Sequence, residues 1–509
     1  MKKIFLIFAL ILVQGRCFAQ GFNHQWLLGS TGIDTNVTSP DARLLFDLLS
    51  ADTSGENRKL AVWETQANIS DANGNLLFAS NGCWIMDASG DTMQNGSGLN
   101  PGLWADSYCS NTTGLPNVGG NIIIPYPGDT AKFILFHQIG NFSSSFPYMD
   151  SPEVFYTVID MNLNGGLGGV ITGQKNLIAF SDTLSWGLAA CKHANGRDWW
   201  IVAIRDASNT IFKILVTQSG ISSVTSQTVN MPVPSYGNAG QPCFSPDGTK
   251  FAFKNGLNNP SYHDVRMLSF DRCTGMFDSI GYTVRQNEFG FGLSFSPNSR
   301  YLYYSSGGHI YQLDTDAPNI AATDTLVASY DGYCYPNPWN CTNFWLMYLA
   351  ANGKIYITSS QFTIDLTYIN SPDSAVLTCD VQQHALRLPC YTIRAGLNHP
   401  NYYLGCDTTL GCTPCYTGID EFSPTDFKFR VYPNPATKEI LNIGYLLPQK
   451  KGGWFEIYDV TGQVVFKYPL PPWSNEQSLK LPELSNGIYN CVITSDNKRV
   501  SKKVAVIKE

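Results

Sequence analysis

FSPDGTKFAF, from Phe244 to Phe253, and FSPNSRYLYY, from Phe295 to Tyr304, share one design: an apolar residue, Ser-Pro, a two-residue turn, a basic residue, then an alternating aromatic strand. Asp247-Gly248 and Asn298-Ser299 form the turn, where small or amide-bearing residues tolerate the positive φ that a tight hairpin needs. With this template four weaker copies emerge: ISDANGNLLFAS around Gly74, YPGDTAKFILF around Gly128, KHANGRDWWIVAI around Gly196 and LAANGKIYITSS around Gly353. The turns at 74, 128, 196, 248, 299 and 353 lie 54, 68, 52, 51 and 54 residues apart. A unit of about 50 residues is the size of a four-stranded blade, which cannot bury both faces by itself. Copies packed face to face around an axis bury those faces, and closing the ring protects the strand edges. The spacing therefore predicts an all-β chain whose body, residues 20–405, is a seven-bladed β-propeller, with six or eight blades as alternatives. Stacked β-sandwiches would leave the near-constant turn period unexplained.

Composition agrees. The 509 residues are 43% hydrophobic and 13% aromatic but only 14% charged, against about 25% charged in an average soluble protein. This excludes a disordered chain, and 45 Gly with 26 Tyr fit short strands and tight turns better than a helical enzyme. The net charge of −7 offers no basic surface for nucleic acid. It conceals an asymmetry: residues 428–509 carry 12 basic and 7 acidic residues, whereas residues 20–427 carry 18 and 33.

Lys2 and Lys3, an apolar run from Ile4 to Val13, and Phe18-Ala19 before Gln20 read as a secretory signal peptide, residues 1–19, cleaved between Ala19 and Gln20. The run is too short for a transmembrane span, and no other stretch reaches the length required. Cleavage removes Cys17 and leaves 13 of 14 cysteines, an odd number for an oxidising compartment. Cys334/Cys341 and Cys379/Cys390 are spaced as local disulfides. Cys412-Thr-Pro-Cys415 has CxxC spacing, but without a second CxxC it reads as structural.

Residues 406–427 carry Cys, Thr and Pro without alternation and read as a linker. Residues 428–509 show strands separated by Thr-Gly, Asn-Gly and Asp-Asn turns, the pattern of a small Ig-like β-sandwich.

Two resemblances follow. GNLLFASNGCWIMDASGDTMQNG (Gly74 to Gly96), NIIIPYPGDTAKFILF, VIDMNLNGGLGGV (Val158 to Val170), CKHANGRDWWIV and the two FSP repeats resemble the secreted β-propeller proteins of Bacteroidetes, related to WD and TolB-type repeats. That implies fold and location, not a reaction. The tail resembles the type A C-terminal sorting domain of the type IX secretion system. YPNPA (Tyr432, Pro433, Asn434, Pro435, Ala436) fits the first motif and IYDVTGQVV, with Tyr458, Asp459 and Gly462, the second. LSNGIYNCVI, with Gly487 and Tyr489, fits the third, and the basic end with Lys502 and Lys503 fits the last. The resemblance implies recognition by the type IX machinery, cleavage of the tail somewhere in residues 406–430, and attachment to surface lipopolysaccharide or release.

Catalytic signatures are lacking: there is no HExxH, GxSxG, Walker A or helix-opening GxGxxG. His24, His137, His193, His263, His309, His384 and His399 lie far apart, without ligand spacing. Asp87, Asp160 and Asp264 are candidates for a funnel carboxylate pair of the glycosidase kind, but each reads first as the acidic residue of a turn or cap. Asp71-Ala72-Asn73-Gly74-Asn75 and Asp87-Ala88-Ser89-Gly90-Asp91 resemble calcium loops but lack the closing Glu. Asp91-Thr92-Met93, Asp129-Thr130-Ala131, Asp182-Thr183-Leu184 and Asp324-Thr325-Leu326 are similar to the Bacteroidetes O-glycosylation pattern. No cofactor is implied. The leading expectation is a non-enzymatic surface or extracellular module binding a protein or glycan, with Asn337-Pro338-Trp339-Asn340 as a candidate locus. The alternative is a secreted glycan-active hydrolase whose acidic residues converge on the axis.

Overall fold

The computed structural model describes residues 22–29, 36–46, 51–71, 74–109, 114–142, 149–233, 240–258, 261–416, 429–432, 434–436, 440–445, 447, 452–470, 476–495 and 498–507. Ala19, Gln20 and Pro433 lie outside them. Among the described residues no helix is long and apolar enough to cross a membrane.

Among the described residues of the body, seven largely antiparallel blades succeed one another along the chain in six sheets. Blade 1 has three strands, Gln25–Gly29, Asp41–Phe46 and Ala51–Glu56. Blades 2 to 7 have four each, opening with Ala67–Ser70, Asn121–Pro125, Ala189–Lys192, Cys243–Phe244, Leu293–Phe295 and Met347–Leu349. A short strand, Gly169–Val170, pairs with Gln94 and joins blades 2 and 3 into one continuous sheet. Opening strands adjoin across neighbouring blades and are largely buried, while outermost strands such as Gly220–Thr228 alternate with solvent. Blades 7 and 1 close the ring through Trp26, Leu44 and Phe46 packed on Tyr356, Leu366 and Leu388.

Each repeated turn lies between the first and second strands of blades 2 to 7, so all six share one rim, here called the turn rim. The opposite rim, where opening strands begin, is the loop rim. The Ser-Pro-Asx signature works the same way in both strong copies. Ser245 Oγ donates to Asp247 Oδ1 at 2.6 Å and accepts from the Lys250 amide at 2.9 Å; Ser296 Oγ donates to Asn298 Oδ1 at 2.6 Å and accepts from the Tyr301 amide at 2.9 Å. The Asx oxygen also accepts the amide two residues on, Thr249 or Arg300, at 3.0 Å. Such side chain to backbone bonds satisfy turn amides that strand pairing cannot reach. Neighbouring turns interlock: Ser299 Oγ is 3.0 Å from the Asp247 amide, and the Asn298 amide donates to Asp373 Oδ1 at 2.8 Å.

After blade 7 the chain turns inward. Residues 394–405 run along the axis from loop rim to turn rim. The Gly396 amide donates to the Trp63 carbonyl, Asn398 Nδ2 to Gly119 and Leu188 carbonyls, and Asn401 Nδ2 to the Pro246 carbonyl. Gly396 is required there, because a Cβ would stand 1.7 Å from the Glu64 carbonyl oxygen.

Among the described residues four disulfides form: Cys83–Cys109, Cys273–Cys412, Cys334–Cys341 and Cys406–Cys415. The expected Cys379/Cys390 pair does not. Both thiols are free and buried, Cys379 in the core between blades 6 and 7 and Cys390 in that between blades 7 and 1. Opposite faces of one sheet hold them apart. The CxxC cysteines pair with other partners, so residues 406–416 are stapled to the body, and the Tyr416 amide donates to the Asn195 carbonyl at 2.7 Å.

In the tail, strands Phe429–Tyr432, Ile440–Tyr445 and Glu476–Lys480 form one sheet, and Val464–Leu470, Gly453–Tyr458, Gly487–Ser495 and Lys498–Val506 a second. Leu441, Ile443, Phe455, Ile457, Cys491 and Val504 share their core.

Candidate ligand-binding rim and axial channel

A cavity of about 620 Å³ occupies the axis. Opening strands line it with Ala190, Phe244, Leu293 and Leu349, residues 397–401 add Asn398, His399 and Asn401, and residues 468–470 and 477 of the tail complete it. Its acidic lining residues already have work. Asp247 Oδ1 accepts from Ser245 and Thr249, and Asp373 accepts from the Asn298 amide. His399 is held neutral by burial, its pKa pushed down to about 4.

The structure does not gather Asp87, Asp160 and Asp264. They belong to the third strands of blades 2, 3 and 5, away from the axis. Asp87 accepts from Ser89 and Asp160 from the Asn162 amide, each closing a turn. Asp264 is buried in an ion pair with Arg266 at 2.8 Å. Asp71 likewise caps a turn, accepting the Asn75 amide at 2.9 Å. Among the described residues no three His, Cys, Asp or Glu side chains come together as a metal site. His137 sits between Asn100 Oδ1 and Thr157 Oγ1, and burial pushes its pKa down to about 3. Of the four Asp-Thr tripeptides, Thr92, Thr130 and Thr183 are exposed and Thr325 is half-buried.

The loop rim is different. Between blades 6 and 7, Cys334–Cys341 closes a loop carrying Trp339, 83% exposed, with Tyr335 and Phe362 also exposed nearby. Internal bonds fix the loop: the Tyr335 amide donates to the Asn340 carbonyl at 2.9 Å, and Asn340 Nδ2 to the Phe362 carbonyl at 2.9 Å. Arg387 covers Tyr335 at 4.8 Å while pairing with Asp365, and Tyr333 stacks on His384 at 4.0 Å.

Inward of this loop, aromatic residues ring the axial mouth. Trp63 faces Tyr108, which contacts Trp104, which meets Trp186 edge to face at 5.5 Å. Phe291 packs on the same cluster and lies 4.7 Å from Trp345. Arg394 stands over Trp345 at 5.3 Å and pairs with Glu64 at 3.1 Å, returning to the neighbour of Trp63. Burial raises the Glu64 pKa to about 7 against the opposing pull of Arg394. Helix Leu103–Tyr108, tied down by Cys83–Cys109, lays Trp104 over one side. Sequence reading missed this ring, although Trp186-Gly187-Leu188 and Phe291-Gly292-Leu293 repeat an aromatic-Gly-Leu signal just ahead of two opening strands.

In the tail, Asn434 bridges the first and last motifs: Nδ2 donates to the Lys503 carbonyl and Oδ1 accepts the Ala505 amide, both at 3.0 Å. Asp459 Oδ1 accepts from Thr461 and Gln463 around Gly462, whose φ is +82°. Tyr458 donates to Glu456 Oε2 at 2.8 Å, and Tyr489, buried next to Gly487, donates to the Ser485 carbonyl at 3.0 Å. Lys502 and Lys503 are exposed.

Residues 430–508 match the family described as secretion system C-terminal sorting domain. The chain is thus a β-propeller joined to a type IX secretion sorting tail, exported to the cell surface or the extracellular space. No curated protein matches it. Among solved structures it is similar to a periplasmic gluconolactonase from Pseudomonas aeruginosa, at 12% identity over 78% of this chain and 94% of that one, with a TM-score of 0.34. Sqt1 from Chaetomium thermophilum matches at 11% identity over 88% and 97%, with a TM-score of 0.33. The Dos1 propeller matches at 8% over 62% and 71%, with a TM-score of 0.32.

Proposed function

We propose that the protein is a non-enzymatic binding module, displayed on the cell surface or released, that takes a glycan or protein ligand at the loop rim. Trp339 carries this reading. An exposed indole on a disulfide-closed loop offers a large amphipathic contact at little entropic cost. Delivery through residues 428–509 ends in removal of the tail and attachment of the body to surface lipopolysaccharide, or release.

Screening the purified protein on arrays of glycans and extracellular proteins tests the binding role. Trp339→Ala should weaken the ligand at least about tenfold without changing the melting temperature. Unchanged binding by that variant would remove the rim loop from the function. The hydrolase alternative rests on Glu64, whose raised pKa suits a general acid; it predicts reducing ends released from a bound glycan, and their absence leaves the binding role.

A further inference from the structure

We propose that the binding surface continues inward from Trp339 to the axial mouth and accepts an extended, uncharged glycan chain, one sugar ring of which sits against Trp345 and Trp63. This rests on the binding role above and names its ligand class.

The surface is continuous. From Asn340 and Phe362 it passes to Gln361, whose Oε1 accepts the Cys341 amide at 3.2 Å, and to Ser360, whose amide donates to Asn343 Oδ1 at 2.9 Å. Arg394 Nε donates to the Ser360 carbonyl at 3.1 Å and carries the surface over Trp345, beside Phe289 and Phe291. Aromatic faces thus occur at both ends, with amides and hydroxyls between.

Unsatisfied donors argue for a hydroxyl-rich ligand. The indole N–H groups of Trp63, Trp186 and Trp345 and the hydroxyl of Tyr348 are buried without a partner among the described residues. A bond left unmade is destabilising, and at the half-buried Trp63 and Trp345 a sugar hydroxyl can accept from the indole N–H while ring C–H groups lie on the indole faces. Trp63 and Trp345 are only half-buried, so the site is reachable from the rim. Arg394 and Glu64 are engaged with each other at 3.1 Å, which leaves aromatic faces and neutral donors as the groups the mouth offers a ligand.

Calorimetric titration of the purified full-length protein with neutral oligosaccharides of increasing length tests this. Affinity should rise with length, then level off. Trp345→Phe and Trp63→Phe keep an aromatic face while deleting the N–H group and part of the ring, and each variant, still unfolding cooperatively, should lower affinity for long chains about tenfold. Their affinity for a single sugar bound at Trp339 should not change. If both variants bind long chains as the wild type does while Trp339→Ala fails, the inward extension is wrong and the binding role stands. Capture of a protein with no sugar binding overturns the glycan class alone. No ligand of either class, with Trp339→Ala indistinguishable from wild type, overturns the binding role as well.

Discussion

Glu64 and Gly396 show how closely the axial segment is built into the ring. A Cβ at position 396 would enter the Glu64 carbonyl oxygen, so Gly396→Ala should cost about 3 kcal/mol or more by overpacking, read by denaturant unfolding. Two residues away, Arg394 meets the Glu64 carboxyl, whose pKa burial raises to about 7 from 4.5. A raised folded-state pKa means the folded protein holds this proton more tightly than the unfolded chain. The associated stability is fully present below about pH 4.5 and is lost as pH rises through about 7. Glu64→Gln removes the titration, so the stability of the wild type relative to this variant should fall across that window by about 1–3 kcal/mol. A flat difference from pH 4 to 8 would show that Glu64 titrates normally.

Among elements, the turn is what the sequence discloses best. Ser245, Asp247, Ser296 and Asn298 make their bonds within five residues, so a local motif is enough to reveal six of the seven blades. Blade 1 carries no copy of the motif in its sequence and shows three strands among the described residues. Reading residues 406–427 as one linker missed that Cys273–Cys412 fastens residues 406–416 to blade 5, that the Asp407 and Tyr416 amides bond to blade 4, and that Cys406–Cys415 closes the segment on itself. Disulfide partners 139 residues apart have no local signature. Replacing Cys273 and Cys412 together by Ser should lower stability by about 2–4 kcal/mol, and limited proteolysis should then cut within residues 406–416, which resist in the wild type.

For the whole molecule, body and tail are two cores with separate tasks. Deleting residues 428–509 should leave a propeller that unfolds cooperatively yet no longer reaches the surface, measured by fractionation; surface display of the truncated protein would separate export from the sorting domain. Period, turn chemistry and the sorting motifs were determined by the sequence alone, because each depends on bonds or alternation within a few residues. The axial path of residues 394–405, the aromatic mouth and the Cys273–Cys412 pair were decided by tertiary structure. Their contacts join blades that are neighbours only once the ring has closed, and a linear period carries no record of which side chains then face the axis.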